Sequence, residues 1–239
     1  MRNGSTSWLR EILQFSSDRS LTVLLYALLL LLFVVSPFLS DTTLGRFAID
    51  AFYVLVLISG ALAAPRFRRI ALGTVLVVLV ARVFVYVEPT RNFILVSTLL
   101  TVLFLAFACA GILRRVFAAG RITRSRIEGA VAVYLLLGLI LGLVYTMMAI
   151  VNRDALAVGA FEWSVDVRTV QQQLFRKMSY FSFMTLTTVG YGDIAPVSET
   201  ARQVAVFEGL LGQLYPAILL ARLVSMEIAP GTPTDDEDL

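Results

Sequence analysis

Histidine is absent from this sequence, and cysteine occurs once, at Cys109. The first absence removes Ser-His triads, histidine-based metal centres and haem ligation through histidine. A lone cysteine closes no disulfide within the chain and assembles no zinc cluster or iron–sulfur centre. Charge is scarce as well. Asp, Glu, Lys and Arg make up 15% of the 239 residues, against roughly a quarter in soluble domains. The few carboxylates form no catalytic constellation, so no enzyme and no bound cofactor are expected. What remains is apolar, with 58% hydrophobic residues and a mean hydropathy of +0.83. The composition is that of an all-α integral membrane protein. Cys109 lies inside an apolar run and reads as a small apolar residue, buried or facing lipid.

A membrane-spanning helix takes about 20 apolar residues. Six segments qualify: Leu21–Leu39, Phe47–Ala64, Ile70–Val87, Phe93–Leu113, Gly129–Val151 and Val204–Ala221. A seventh, Leu174–Thr187, is too short to span and is expected to enter partway, shielded by protein. The net charge of +3 gives no reason to expect a nucleic-acid partner, because the basic residues flank apolar runs. Arg2, Arg10 and Arg19 precede the first span. Arg66, Arg68 and Arg69 follow the second, and Arg114, Arg115, Arg121, Arg124 and Arg126 follow the fourth. The opposite short loops hold only Arg46 and Arg91. This bias predicts six spans in the cell's inner (plasma) membrane with both termini cytoplasmic.

The chain divides accordingly. Residues 1–20 are read as a cytoplasmic lead-in, in which Ser7–Phe15 also has the pattern of a short interfacial helix. The first twenty residues do not resemble a cleaved signal. Residues 21–121 are read as a four-helix membrane domain, 122–128 as a cytoplasmic linker, and 129–228 as a second membrane unit of two spans with the half-length segment between them. Residues 229–239, with two prolines, a glycine and an acidic end, are expected to be a disordered acidic tail.

Residues 185–193 read T-L-T-T-V-G-Y-G-D, between a half-length apolar helix and a full-length one. This motif resembles the selectivity filter of potassium channels. From Arg124 to Val224 the chain is similar to the two-helix pore module of bacterial six-transmembrane potassium channels. The resemblance implies a re-entrant pore helix, an extended filter and a homotetrameric pore embedded in membrane lipid. Its ligand would be the permeant K+ itself, held by the carbonyls of Thr188, Val189, Gly190 and Tyr191, with the Thr188 hydroxyl at the inner end. Glycine at Gly190 and Gly192 reaches left-handed backbone angles that other residues adopt only with strain. One strand offers one oxygen per layer, so four copies are needed to replace a water shell. The resemblance further implies that Tyr180, Phe181, Thr187 and Asp193 support the filter. Gly212 takes the place of the family's inner-helix hinge. Gln213, Pro216 and Leu220 take its cavity-lining positions and share one helical face. Pro216 departs from the plain family pattern and is expected to add a kink.

Two further groups stand out. Glu208 lies within the last apolar run, one turn before Gly212. An intramembrane carboxylate faces protein or water. Glu208 reads as a support of the filter through the pore helix, with an outward reach to the vestibule as the alternative. Arg82, in the third span, is read as the ion-pair partner of Asp50, with a voltage-sensing role as its alternative. The fourth span lacks the regularly spaced basic residues of a strong voltage sensor. Weak or absent voltage sensing is therefore expected. The competing function is a potassium transporter subunit built from pore-like repeats, which the single full filter motif disfavours.

Overall fold

The computed structural model describes residues 20–35, 51, 54–59, 61, 68–87, 90–118, 123–159 and 167–228. The apolar runs fold as helices, as chains must where backbone polar groups meet no water. Helix α1 is Ser20–Val35, its last five residues, Leu31–Val35, in the π form. Helix α2 is Arg68–Val87, α3 is Arg91–Val116, and α4 is Arg124–Val151. Strand β1, Leu156–Ala157, leads to α5, Val167–Leu186. Strand β2, Ala195–Pro196, precedes α6, Glu199–Ile228. Residues 54–59 are also helical. Among the described residues three helices, α3, α4 and α6, are long and apolar enough to cross a membrane. Asp50, the segments before residue 20 and the tail from 229 lie outside the described residues.

Several boundaries differ from the sequence reading. Helix α4 begins at Arg124, so most of the 122–128 linker is helical. Arg124 and Glu128 pair across one turn at 2.8 Å, and the Thr22 hydroxyl of α1 donates to the same carboxylate at 2.5 Å. Helix α6, with Pro216 inside it, extends past both ends of the expected Val204–Ala221 span. Helix α5 has 20 residues rather than the shorter stretch expected. Its first turns read V-R-T-V-Q-Q-Q, which hydropathy passes over, although Gln and Arg favour helix nearly as well as Leu.

Helices α3 and α4 run antiparallel. Arg91 at the start of α3 donates to the Val151 carbonyl at the end of α4, at 2.9 Å. Helix α5 lies antiparallel on α4, and glycine makes the approach possible. A Cβ at Gly142 would stand 2.9 Å from Ser179 Cα, and one at Gly138 would stand 2.5 Å from the Phe183 ring. One apolar cluster joins α1, α2, α3 and the first half of α4 through Leu24, Leu28, Phe104, Ile112 and Leu136. A second joins the rest of α4 to α5 through Tyr145, Leu174, Met178 and Phe181. Cys109 is buried in the first.

The end of α5 sets the depth at which residues 187–193 begin. The Tyr134 hydroxyl donates to the Leu186 carbonyl at 3.2 Å. Tyr134 lies only ten residues into α4, about 15 Å along its axis. On the other side, a Cβ at Gly212 would land on the Leu186 carbonyl oxygen, and Gly212 lies thirteen residues into α6, about 20 Å along. Helix α5 therefore stops about a third of the way along α4 and near the middle of α6, and residues 187–193 start from there.

Candidate functional site

The terminus of α5 is closed by a Schellman motif. Val189 N–H donates to the Met184 carbonyl at 3.0 Å, and Thr188 N–H donates to the Thr185 carbonyl at 3.0 Å. Gly190 N–H reaches the same Met184 oxygen at 3.1 Å. The motif requires a left-handed residue just past the cap, usually glycine. Here Thr188 fills it with φ 60°. Left-handed backbone costs a threonine roughly 1–2 kcal/mol. The same threonine opens the T-V-G-Y-G-D stretch, so helix cap and motif share a residue. Positive φ recurs at Gly190, 55°, and Gly192, 79°, but not at Val189 or Tyr191. Handedness thus alternates through all five residues. Within this chain the segment stands clear of the body, with Val189 50% and Tyr191 73% exposed.

The flanks of the segment are tied down. Thr187 and Thr185 hydroxyls donate back to the Phe183 and Phe181 carbonyls at 2.6 and 2.9 Å. Tyr180 faces the Asp193 carboxylate. Both residues line an open cleft of about 320 Å³ with Arg176, Lys177, Val158 and Ile194. Leu156 and Ala157 pair antiparallel with Pro196 and Ala195. That bridge joins the loop before α5 to the chain leaving the motif. The Ser198 hydroxyl then accepts from Ala201 N–H at 3.2 Å and starts α6.

Glu208 is fully buried between three helices. The Tyr145 hydroxyl of α4 donates to Glu208 Oε2 at 2.8 Å. Ser182 Oγ of α5 lies 2.5 Å from Glu208 Oε1. The same Ser182 oxygen lies 2.7 Å from the Gly138 carbonyl of α4. Phe181 meets the Tyr145 ring edge-on at 4.8 Å between centroids. The sequence offers Glu208 as a notable group but gives no sign of Tyr145 or Ser182, which lie 63 and 26 residues away from it. Tyrosine and serine in apolar helices are hints of buried hydrogen bonding without an address.

Along α6, Gly212 is buried, Gln213 and Leu220 are exposed, and Pro216 is half-buried within this chain. Pro216 has no N–H for the Gly212 carbonyl, so the close contact with Leu186 and the missing helix bond fall on one glycine. Tyr215 stacks on Tyr134 at 6.0 Å and donates to the Ala130 carbonyl at 2.8 Å. Arg82 lies on α2, but its side chain, like Asp50, is outside the described residues.

Residues 133–228 match the sequence profile of a family described as ion channel. The match runs from early in α4 through α5 and the 187–193 segment to the end of α6. This part of the mostly helical chain is thus similar to an ion-channel domain. Two curated relatives share a shorter stretch. Protein LctB of Geobacillus stearothermophilus is 49% identical over 45 residues, which are 19% of this chain and 33% of the relative. Protein LctB of Bacillus caldotenax is 44% identical over 45 residues, with the same coverage. The chain thus spans a third of the length of these relatives. No solved structure matches it.

Proposed function

We propose that this chain is one subunit of a homotetrameric potassium-selective channel that conducts K+ passively down its gradient. The observation that carries the reading is the backbone of Thr188–Gly192. Alternating handedness turns successive carbonyls to one side, and the segment begins partway along two long helices. In the proposed pore, carbonyls of Thr188, Val189, Gly190 and Tyr191 replace the hydration shell of K+. A single chain supplies one oxygen per layer, so four copies surround the axis. Apolar side chains of α6 left exposed here, including Val206, Leu210, Leu214 and Ile218, suit contact with neighbouring copies and lipid. The dipole of α5 ends near that axis with its negative end toward the cation.

The remaining roles fit the same frame. Tyr180, Phe181, Thr187, Asp193 and Glu208 hold the filter, and Gln213, Pro216 and Leu220 line the path below it. Six spans with both termini in the cytoplasm complete the proposed topology in the plasma membrane.

The test is reconstitution of the purified protein in lipid vesicles with counted subunits. Potassium flux far above sodium flux, from a tetramer, is the expected result. Gly190→Ala introduces a Cβ at φ 55° and is expected to abolish selective flux. A monomeric or dimeric carrier, or selective flux surviving in Gly190→Ala, would refute the reading.

A further inference from the structure

Counting protons around Glu208 leads beyond the pore reading. Three short oxygen–oxygen contacts meet in one buried cluster: Tyr145 with Glu208 Oε2 at 2.8 Å, Ser182 with Glu208 Oε1 at 2.5 Å, and Ser182 with the Gly138 carbonyl at 2.7 Å. Each contact needs a proton between its oxygens. A serine hydroxyl carries one proton, a phenol carries one, and a carbonyl carries none. Two hydroxyls bring two protons to three contacts, so one proton would have to be shared. With an ionised carboxylate, Ser182 would split a single proton between two acceptors, which fits poorly with contacts as short as 2.5 and 2.7 Å.

We propose that Glu208 is the neutral acid, and that its Oε1 proton is donated to Ser182, whose own proton goes to the Gly138 carbonyl. Tyr145 donates to the other carboxyl oxygen. The chain Glu208, Ser182, Gly138 then runs in one direction with every oxygen satisfied. It joins α6 to α5 and α5 to α4 at a level where glycine lets α5 lie against the backbone of α4. Glu208 is thereby a positioning residue: it holds the helix whose last turn is the Thr188 cap. A neutral acid also answers the cost of burying a carboxylate between apolar helices, where an ion needs a paired charge or neutralises.

The groups facing Glu208 are few. From α4 come the titratable phenols of Tyr145 and, further along, Tyr134. From α5 comes Ser182, which does not titrate in water. Raising the pH far enough to ionise Glu208 removes the proton between it and Ser182 and turns Ser182 toward the carboxylate, which frees the Gly138 carbonyl. Loosening of α5 is therefore expected on the alkaline side.

The test is isotope-edited infrared spectroscopy of the full-length protein in lipid, with labelled glutamate. The readout does not depend on ion flux, so it fails or succeeds separately from the pore reading. A protonated-carboxyl C=O band at neutral pH, lost in Glu208→Gln, is expected. In Ser182→Ala the same band is expected to move to higher frequency, because the acid has lost its acceptor. Should Glu208→Gln not assemble, loss of the band on alkaline titration of the unsubstituted protein assigns it instead. An ionised Glu208 at neutral pH would overturn the proposal. So would a protonated band that Ser182→Ala leaves in place.

Discussion

Two serines three residues apart in α5 show how little a residue's type says about its energetic role. Ser182 sits between two oxygens, whereas Ser179 Oγ is the one buried side-chain polar atom without a hydrogen-bond partner among the described residues. Its position against Gly142 serves close packing, not hydrogen bonding. Removing an unsatisfied hydroxyl returns its desolvation cost, while removing a partnered one strands its partners at about 1–3 kcal/mol. Ser179→Ala is therefore expected to leave the melting temperature of the assembled protein unchanged or raised. Ser182→Ala is expected to lower it. Thermal unfolding of both variants in the same detergent or lipid decides the matter, and the opposite ranking would show that the two environments are misassigned. Thr188 presents a different balance. It accepts left-handed strain at a position where glycine would sit more easily. In the proposed channel its hydroxyl is the reason to keep threonine there.

At the level of elements, the sequence is most informative where chemistry repeats a short pattern. The T-V-G-Y-G-D stretch and the long apolar runs of α3, α4 and α6 are legible directly. The length of α5 is not, because five of its first seven residues are polar and only Val167 and Val170 are apolar there. The cap at Thr188 is hidden for a related reason: Schellman motifs are recognised by glycine, and the chain places threonine there. The close packing of Gly138 and Gly142 is equally silent, since a glycine in an apolar helix looks alike whether it faces lipid or a neighbouring backbone. Helix α6 offers an element-scale test of the proposed path. Leu220 is 62% exposed within the chain, while its neighbour Leu219 packs on the apolar core. After Cys109→Ala, a cysteine at Leu220 is expected to react with a charged thiol reagent from the cytoplasmic side. One at Leu219 is expected to react at least tenfold more slowly. Equal rates would mean that another face of α6 lines the path.

The whole molecule combines a unit similar to ion channels with preceding helices that lack the charge pattern of a strong sensor. Helix α3 carries basic residues only at its ends, Arg91 in the first turn and Arg114 and Arg115 in the last. Moving one charge through 100 mV yields about 2.3 kcal/mol, so steep opening needs roughly three to four charges in each subunit. Open probability is expected to change shallowly with voltage, with a fitted gating charge below about one elementary charge per subunit. Patch recordings over a wide range measure this directly, and a value of several charges would contradict it. The end of α5, partway along the long helices, carries an electrical consequence of its own. Five extended residues cover at most about 17 Å, whereas the hydrocarbon layer is about 30 Å thick. If water fills the proposed path below Thr188, nearly all the membrane potential drops across that shorter distance. A permeating ion then crosses a field roughly 1.8 times steeper than the bilayer alone would impose, so the proposed pore would act as a lens for voltage whatever its helices sense.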